Sequence, residues 1–175
     1  MRAVALLRGM NIGGVRFRMA DLAAALEAAG SRDVRTVLAS GNVLLTSDLD
    51  APAAIADAVS TVILERFGFD VAVIVVDLAV VRRAVEEYPF PRADDRHAYV
   101  VLADQDAALA DLVASAGELD DALERVRPGE GVVYWDVLKG RTLDSAFGKR
   151  FGRWQKAGTV TTRSIRTLER ILAVG

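Results

Sequence analysis

The stretch Val34-Arg35-Thr36-Val37-Leu38-Ala39-Ser40-Gly41-Asn42-Val43-Leu44-Leu45-Thr46 decides the fold. Val34–Leu38 and Asn42–Thr46 are short runs of β-branched and aliphatic residues, and Ala39-Ser40-Gly41-Asn42 has the composition of a tight turn. The pair predicts two adjacent strands. Upstream, Met19–Ala29 places Leu22, Ala25, Leu26 and Ala29 on one helical face, with Asp21 in the first turn and Gly30 as the stop. Before it, Ala3–Leu7 is a short apolar run ended by Arg8-Gly9, read as a buried strand. Downstream, a helix opens near Asp50-Ala51-Pro52, with Asp50 as its expected cap and Pro52 tolerated in the first turn. Its apolar stripe is Ile55, Val59, Val62, Ile63 and Phe67, and Gly68 ends it. Val71–Val76 is a continuous apolar run, best read as a central strand. The order over residues 3–76 is therefore β-α-β-β-α-β. Right-handed crossovers turn that order into an α+β, ferredoxin-like core: an antiparallel sheet with both helices on one face.

The rest of the chain reads as a second, looser α+β half with C-terminal helices. Leu78–Glu87 is helical and is broken by Tyr88-Pro89-Phe90-Pro91. His97–Leu102 and Val132–Trp135 are expected strands, and Asp106–Arg125 an expected helix. Arg127-Pro128-Gly129-Glu130-Gly131 reads as a turn, and Thr142–Phe151 and Thr162–Leu172 as two terminal helices. The expected division is a ferredoxin-like subdomain over 1–77, a helix and Pro-Phe-Pro connector over 78–95, and a second α+β subdomain over 96–175.

Composition bounds the chemistry. The chain has 175 residues, a hydrophobic fraction of 52% and a formal charge of -2. That is enough apolar material for a core, and too balanced a charge to argue globally for nucleic acid or membrane. With no cysteine and one histidine, His97, there is no thiolate nucleophile, disulfide, or Cys- or His-based metal cluster. No cofactor and no metal are expected. Gly140 to Arg150 has the wrong spacing for a P-loop, and Gly9, Gly13 and Gly14 do not space as a dinucleotide fingerprint. The apolar run before Arg8 is too short for a secretion signal, and no run approaches the roughly 18 residues of a transmembrane helix. A cytoplasmic location with no membrane partner is the resulting expectation.

The element order singles out one edge. In this core the first two strands run parallel, so the loop after the first and the turn after the second lie at the same end of the sheet. Arg8-Gly9-Met10-Asn11-Ile12-Gly13-Gly14 then stands beside Ser40-Gly41-Asn42, where the first helix also begins. Helix N–H groups, the backbone at Gly13-Gly14, and Arg8, Arg16 and Arg18 suit an anion; Asn11, Ser40 and Asn42 add directional hydrogen bonds. The structural alternative is that these loops serve backbone geometry alone, with Asn11 and Asn42 bonding neighbouring main chain. Thr161-Thr162-Arg163 is expected to open the last helix, one threonine capping it. An arginine there opposes the helix dipole, which makes Arg163 a further candidate anion contact.

The other asymmetry is the basic stretch from Lys139 to Arg170, with Trp135 and Trp154 near or within it. Basic residues interleaved with aromatics suit nucleic acid. The acidic Asp104–Glu130 segment offers internal pairing as the alternative.

Several of these motifs carry a family resemblance. Leu6-Leu7-Arg8-Gly9-Met10-Asn11-Ile12-Gly13-Gly14 resembles an LRGINVGG opening, and Val34-Arg35-Thr36 with Ser40-Gly41-Asn42-Val43 resembles a VRTYIQSGNVVF segment. Arg66-Phe67-Gly68-Phe69-Asp70-Val71 resembles RFGFDVPV, Pro89-Phe90-Pro91 resembles NPFP, and Thr161-Thr162-Arg163 resembles the start of ATTRNWNT. These are motifs of the bacterial domain-of-unknown-function family 1697. The resemblance implies an α+β fold with ferredoxin-like halves and brings no activity with it. The sequence departs from the pattern at Ser164-Ile165-Arg166, where the family has Asn-Trp-Asn, and at Tyr88, where it has Asn.

Three functional classes follow. The first is a binding protein for an anionic small molecule or nucleotide, using Arg8, Asn11, Gly13, Gly14, Ser40, Asn42 and Arg163. The second is a nucleic-acid-associated protein using residues 139–170. The third is an enzyme, for which no catalytic set is identifiable; the absent cysteine and solitary histidine weigh against it.

Overall fold

A computed structural model describes residues 1–9, 17–157 and 160–175. The chain divides into two compact units: Met1–Val81 with Glu169–Gly175, and Arg82–Leu168.

The first unit is built from β1 (Arg2–Leu7), α1 (Met19–Ala28), β2 (Arg32–Val37), β3 (Asn42–Thr46), α2 (Pro52–Phe67) and β4 (Val73–Asp77). The sheet order is β2-β3-β1-β4, and every neighbouring pair is antiparallel. This is the expected ferredoxin-like core. Alternate residues Ala3, Ala5 and Leu7 of β1, with Val43 and Leu45 of β3, pack against Leu22 and Leu26 of α1 and Ile55, Val59 and Ile63 of α2. Each larger aliphatic side chain so buried contributes about 1.5–3 kcal/mol. The intervening Val4, Leu6, Leu44 and Ile74 are buried too, which is why these strands read as unbroken apolar runs. Gly68 ends α2 at φ 74°, its N–H bonded to the Leu64 carbonyl. Ala51 takes the N-cap position expected of Asp50, because Pro52, with φ preset for helix, occupies the start of the helix just after it.

α3 (Leu78–Glu86) follows β4 without a break, and Asp77 Oδ1 accepts the Ala79 N–H at 2.7 Å. Then come β5 (Arg96–Ala103), α4 (Asp106–Ala114), β6 (Glu124–Gly129), β7 (Val132–Leu138), α5 (Ala146–Ala157), β8 (Val160–Ser164) and α6 (Ile165–Leu172). The second sheet has the order β6-β7-β5-β8, again antiparallel throughout. The second half is thus α+β and repeats the first in full: β-α-β-β-α-β followed by a helix that starts at the last strand.

Three expected helices are corrected here, and the one expected over Thr142–Phe151 runs over Ala146–Ala157. The run over Asp106–Arg125 is helical only to Ala114, and its end is the edge strand β6. Charges at Glu124, Arg125 and Arg127 hide the period of two, because the inward position after the turn is a carboxylate. Pro128 is tolerated because β6 is an edge strand. The helix expected from Thr162 begins only at Ile165; Val160-Thr161-Thr162-Arg163-Ser164 is β8. Its β-branched residues favour a strand, and the cap is Ser164, whose Oγ accepts the Thr167 N–H at 3.2 Å.

In the second unit the helix-facing side of the sheet is aromatic. Trp135 is 1% exposed. Its ring centroid lies 5.4 Å from Tyr99, 5.2 Å from Phe147 and 5.9 Å from Phe151. Val101, Val133, Val137, Leu109 and Leu112 complete this core.

Candidate functional site

The turn between β2 and β3 sits against the end of β1. The Leu7 N–H donates to the Gly41 carbonyl at 2.8 Å, and Leu6 pairs with Asn42 across the ladder. Arg8 follows directly, its own N–H bonded to the Ala72 carbonyl at 2.9 Å. Arg8 and Ser40–Asn42 are therefore neighbours at one end of the first sheet. Asn11, Gly13 and Gly14, with Arg16, lie outside the described residues.

Asn42 is fully buried. Its Nδ2 donates to the Val37 carbonyl at 2.8 Å and to Ser40 Oγ at 3.1 Å. The amide thus closes the turn from within, the structural role of the two considered for it. Ser40, half-buried, accepts from Asn42 through its oxygen and keeps a hydroxyl hydrogen to donate. Leu38, at the start of the turn, has φ 60°. That left-handed conformation costs a non-glycine residue about 1–2 kcal/mol and is held by the bonds around it. At the start of α1, Arg18 forms a two-pronged pair with Asp21 at 2.9 and 2.8 Å. The same hydrogen bonds hold the Asp21 carboxyl below its ordinary value.

Arg163 belongs to the second unit and lies in β8 opposite Val100, not at a helix start. Its guanidinium donates to Thr161 Oγ1 and to the Thr162 carbonyl, each at 2.8 Å. Trp135, read as a partner for bases, is part of the core. Arg150, from the same basic stretch, donates to the Ala116 carbonyl just beyond α4.

Sequence reasoning missed two buried carboxylates in the second unit. Glu124 accepts the Trp135 indole N–H at 3.1 Å and the Phe147 N–H, in the first turn of α5, at 3.0 Å. Asp136 Oδ2 receives Arg96 and Arg125 together. Arg96 also donates to the Ala122 and Leu123 carbonyls, and Arg125 lies 5.0 Å above the Phe90 ring, docking the Pro-Phe-Pro connector onto β6. Burial first, and then the Asp136 charge, push the Tyr88 hydroxyl well above its ordinary value. The available signal was an aspartate inside the otherwise apolar Val132-Val133-Tyr134-Trp135-Asp136-Val137-Leu138.

Among the described residues, no group of three or more His, Asp or Glu side chains is placed to hold a metal ion. None of the described helices is long and apolar enough to cross a membrane.

A conserved bacterial protein from Streptococcus pneumoniae has a similar solved structure: TM-score 0.76 at 22% identity, covering 97% of this chain and 95% of that one. At that identity the likeness concerns the fold. A protein from Galdieria sulphuraria aligns over 93% of this chain and 94% of its own, at 14% identity and a TM-score of 0.22, too low to carry an argument. No curated protein matches the chain. The model of a protein family of unknown function, DUF1697, matches residues 1–134. With most of its length matched in this way, the chain belongs to the DUF1697 family.

Proposed function

We propose that the chain is a cytoplasmic binding protein for an anionic small molecule or nucleotide, received at the end of the first sheet where Arg8 meets Ser40. One observation carries this reading. The Leu7–Gly41 hydrogen bond holds the residue before Arg8 against the β2–β3 turn. A guanidinium carried on that backbone, next to a turn with a hydroxyl donor, is a pairing that phosphate and carboxylate oxygens select. The strained Leu38 in the same turn supports it, since such conformations gather at ligand sites. Asn42 enters as the residue that holds the turn, and Ser40 and Arg8 as the contacts.

The test is thermal melting of the full chain against a panel of nucleotides and phosphorylated metabolites. At least one compound should raise the midpoint, by an amount that grows with its concentration. Arg8→Ala should abolish the rise, read against the variant's own ligand-free midpoint. A panel that leaves the parent midpoint unmoved, or a rise that survives Arg8→Ala, would overturn the reading.

A further inference from the structure

We propose that the second unit carries a separate site, a basic cavity for a small phosphate monoester. The cavity measures about 360 Å³ and opens where the start of β5 and the end of β7 meet the first turn of α6. It is lined by Arg92, Arg96, Lys139 and Arg166 against Asp94 and Asp136.

The charges in this lining differ in role. Asp136, with 2% of its side chain exposed, already receives Arg96 and Arg125. Arg96 is further tied to the Ala122 and Leu123 carbonyls, so its guanidinium is held in the wall by Asp136 and by main chain. Lys139 and Arg166 then stand against Asp94 among the remaining charged lining residues outside Arg92. The excess is positive, and the Lys139 and Arg166 side chains are exposed.

Two further features point to phosphate. The start of α6 borders the cavity through Ser164, Ile165 and Arg166. Ser164 Oγ serves the Thr167 N–H, and the positive end of the helix dipole faces the space. His97 lines it as well, while its ring stacks on Tyr99 at 5.2 Å and 28°, on the aromatic face of the sheet. The volume lies at the lower end of ligand pockets, about 300–1,000 Å³, so it suits a small phosphorylated metabolite and not a dinucleotide. Helix dipole and several cations together favour a doubly charged phosphate over a single carboxylate.

The backbone of Ser164 and Ile165, at the start of α6, borders this cavity and supplies the reporters. The experiment is a titration of the full chain at fixed pH with inorganic phosphate and with glycerol 3-phosphate, with sodium chloride at matched ionic strength as control. Saturable displacement of the Ser164 and Ile165 amide NMR signals by the phosphates, absent with chloride, is the expected result. Lys139→Ala with Arg166→Ala should weaken the apparent affinity about tenfold or more. Lys139→Glu alone should weaken it too, and its exposed position leaves the fold intact. Arg8→Ala should leave the titration unchanged, which separates this site from the one on the first sheet. Displacement that chloride reproduces, that never saturates, that survives the double substitution, or that Arg8→Ala abolishes would overturn the proposal.

Discussion

Among the described residues the first unit buries one polar side chain, Asn42, whereas the second buries Glu124, Asp136, Ser145 and Thr161. Both reach the same strand order. They are also elaborated at opposite ends. Residues 8–18 connect β1 to α1, while Asp104 and Gln105 alone connect β5 to α4. Conversely, Tyr99 pairs with Ser164 as Ala3 pairs with Asp77, so β5 begins two residues earlier than β1 does. Those two positions are Arg96 and His97, and they lead into the basic cavity. The lesson is that topology dictates where apolar side chains recur but leaves the ends of the strands free. In the second unit the added positions bring Arg96 to the buried Asp136.

The polarity contrast is broken most directly at Asp136. Asp136→Ala leaves Arg96 and Arg125 with no carboxylate between them. Removing one partner from a buried ionic cluster costs about 3–5 kcal/mol. Both tryptophans, Trp135 and Trp154, lie in the second unit, so urea unfolding followed by their fluorescence reads this unit selectively. The expected result is a large drop in the denaturation midpoint. An unchanged midpoint would mean that the cluster is incidental and that the second unit is held, like the first, by apolar packing alone.

The same contrast explains what was legible in the sequence. The first unit was readable almost residue by residue because Ala3, Ala5, Leu7, Val43 and Leu45 follow the burial pattern without exception. The second unit hides β6 behind Glu124. There a carboxylate occupies a core-facing position because Trp135 and the start of α5 each need an acceptor. Nothing local in the sequence announces that requirement. β8 was obscured differently: Thr161 and Thr162 suit both a strand and a cap, and only the pairing of β8 with β5 decides between them. At the candidate site, the meeting of Arg8 with Ser40–Asn42 followed from strand order. The inward turn of the Asn42 amide did not, since it depends on the Val37 carbonyl across the turn. Arg163 lies within β8 because the helix expected from Thr162 begins only at Ile165.

A sharper comparison lies within α5, where two glycines face different surroundings. A Cβ at Gly148 would run into the Thr142 carbonyl oxygen and approach Ser145 Oγ, the acceptor of the Gly148 N–H. At Gly152 the same atom meets nothing within 4 Å. Gly148→Ala should therefore destabilise by about 1–3 kcal/mol through forced displacement of the α5 start. Gly152→Ala should stabilise by about 0.5–1 kcal/mol, the ordinary gain for a helix interior. Tryptophan-detected unfolding measures both. Equal effects of one sign would show that helix propensity, not the close approach to Thr142, governs this segment.

The smallest destabilisation is expected in the first unit. Asn42→Ala removes the donor that serves Val37 and Ser40, in a position with no exposed surface. One lost neutral hydrogen bond accounts for about 1 kcal/mol, and a Val37 carbonyl left without that donor adds to it. The change should be local, because the apolar core beneath is untouched. Amide hydrogen exchange should therefore quicken at residues 38–42 while the paired amides of β1 and β4 keep their protection. Tryptophan fluorescence, confined to the second unit, should register no shift. Exchange that rises across the whole first sheet would instead make Asn42 a buried polar keystone comparable to Asp136, and the difference in how the two units are held together would disappear.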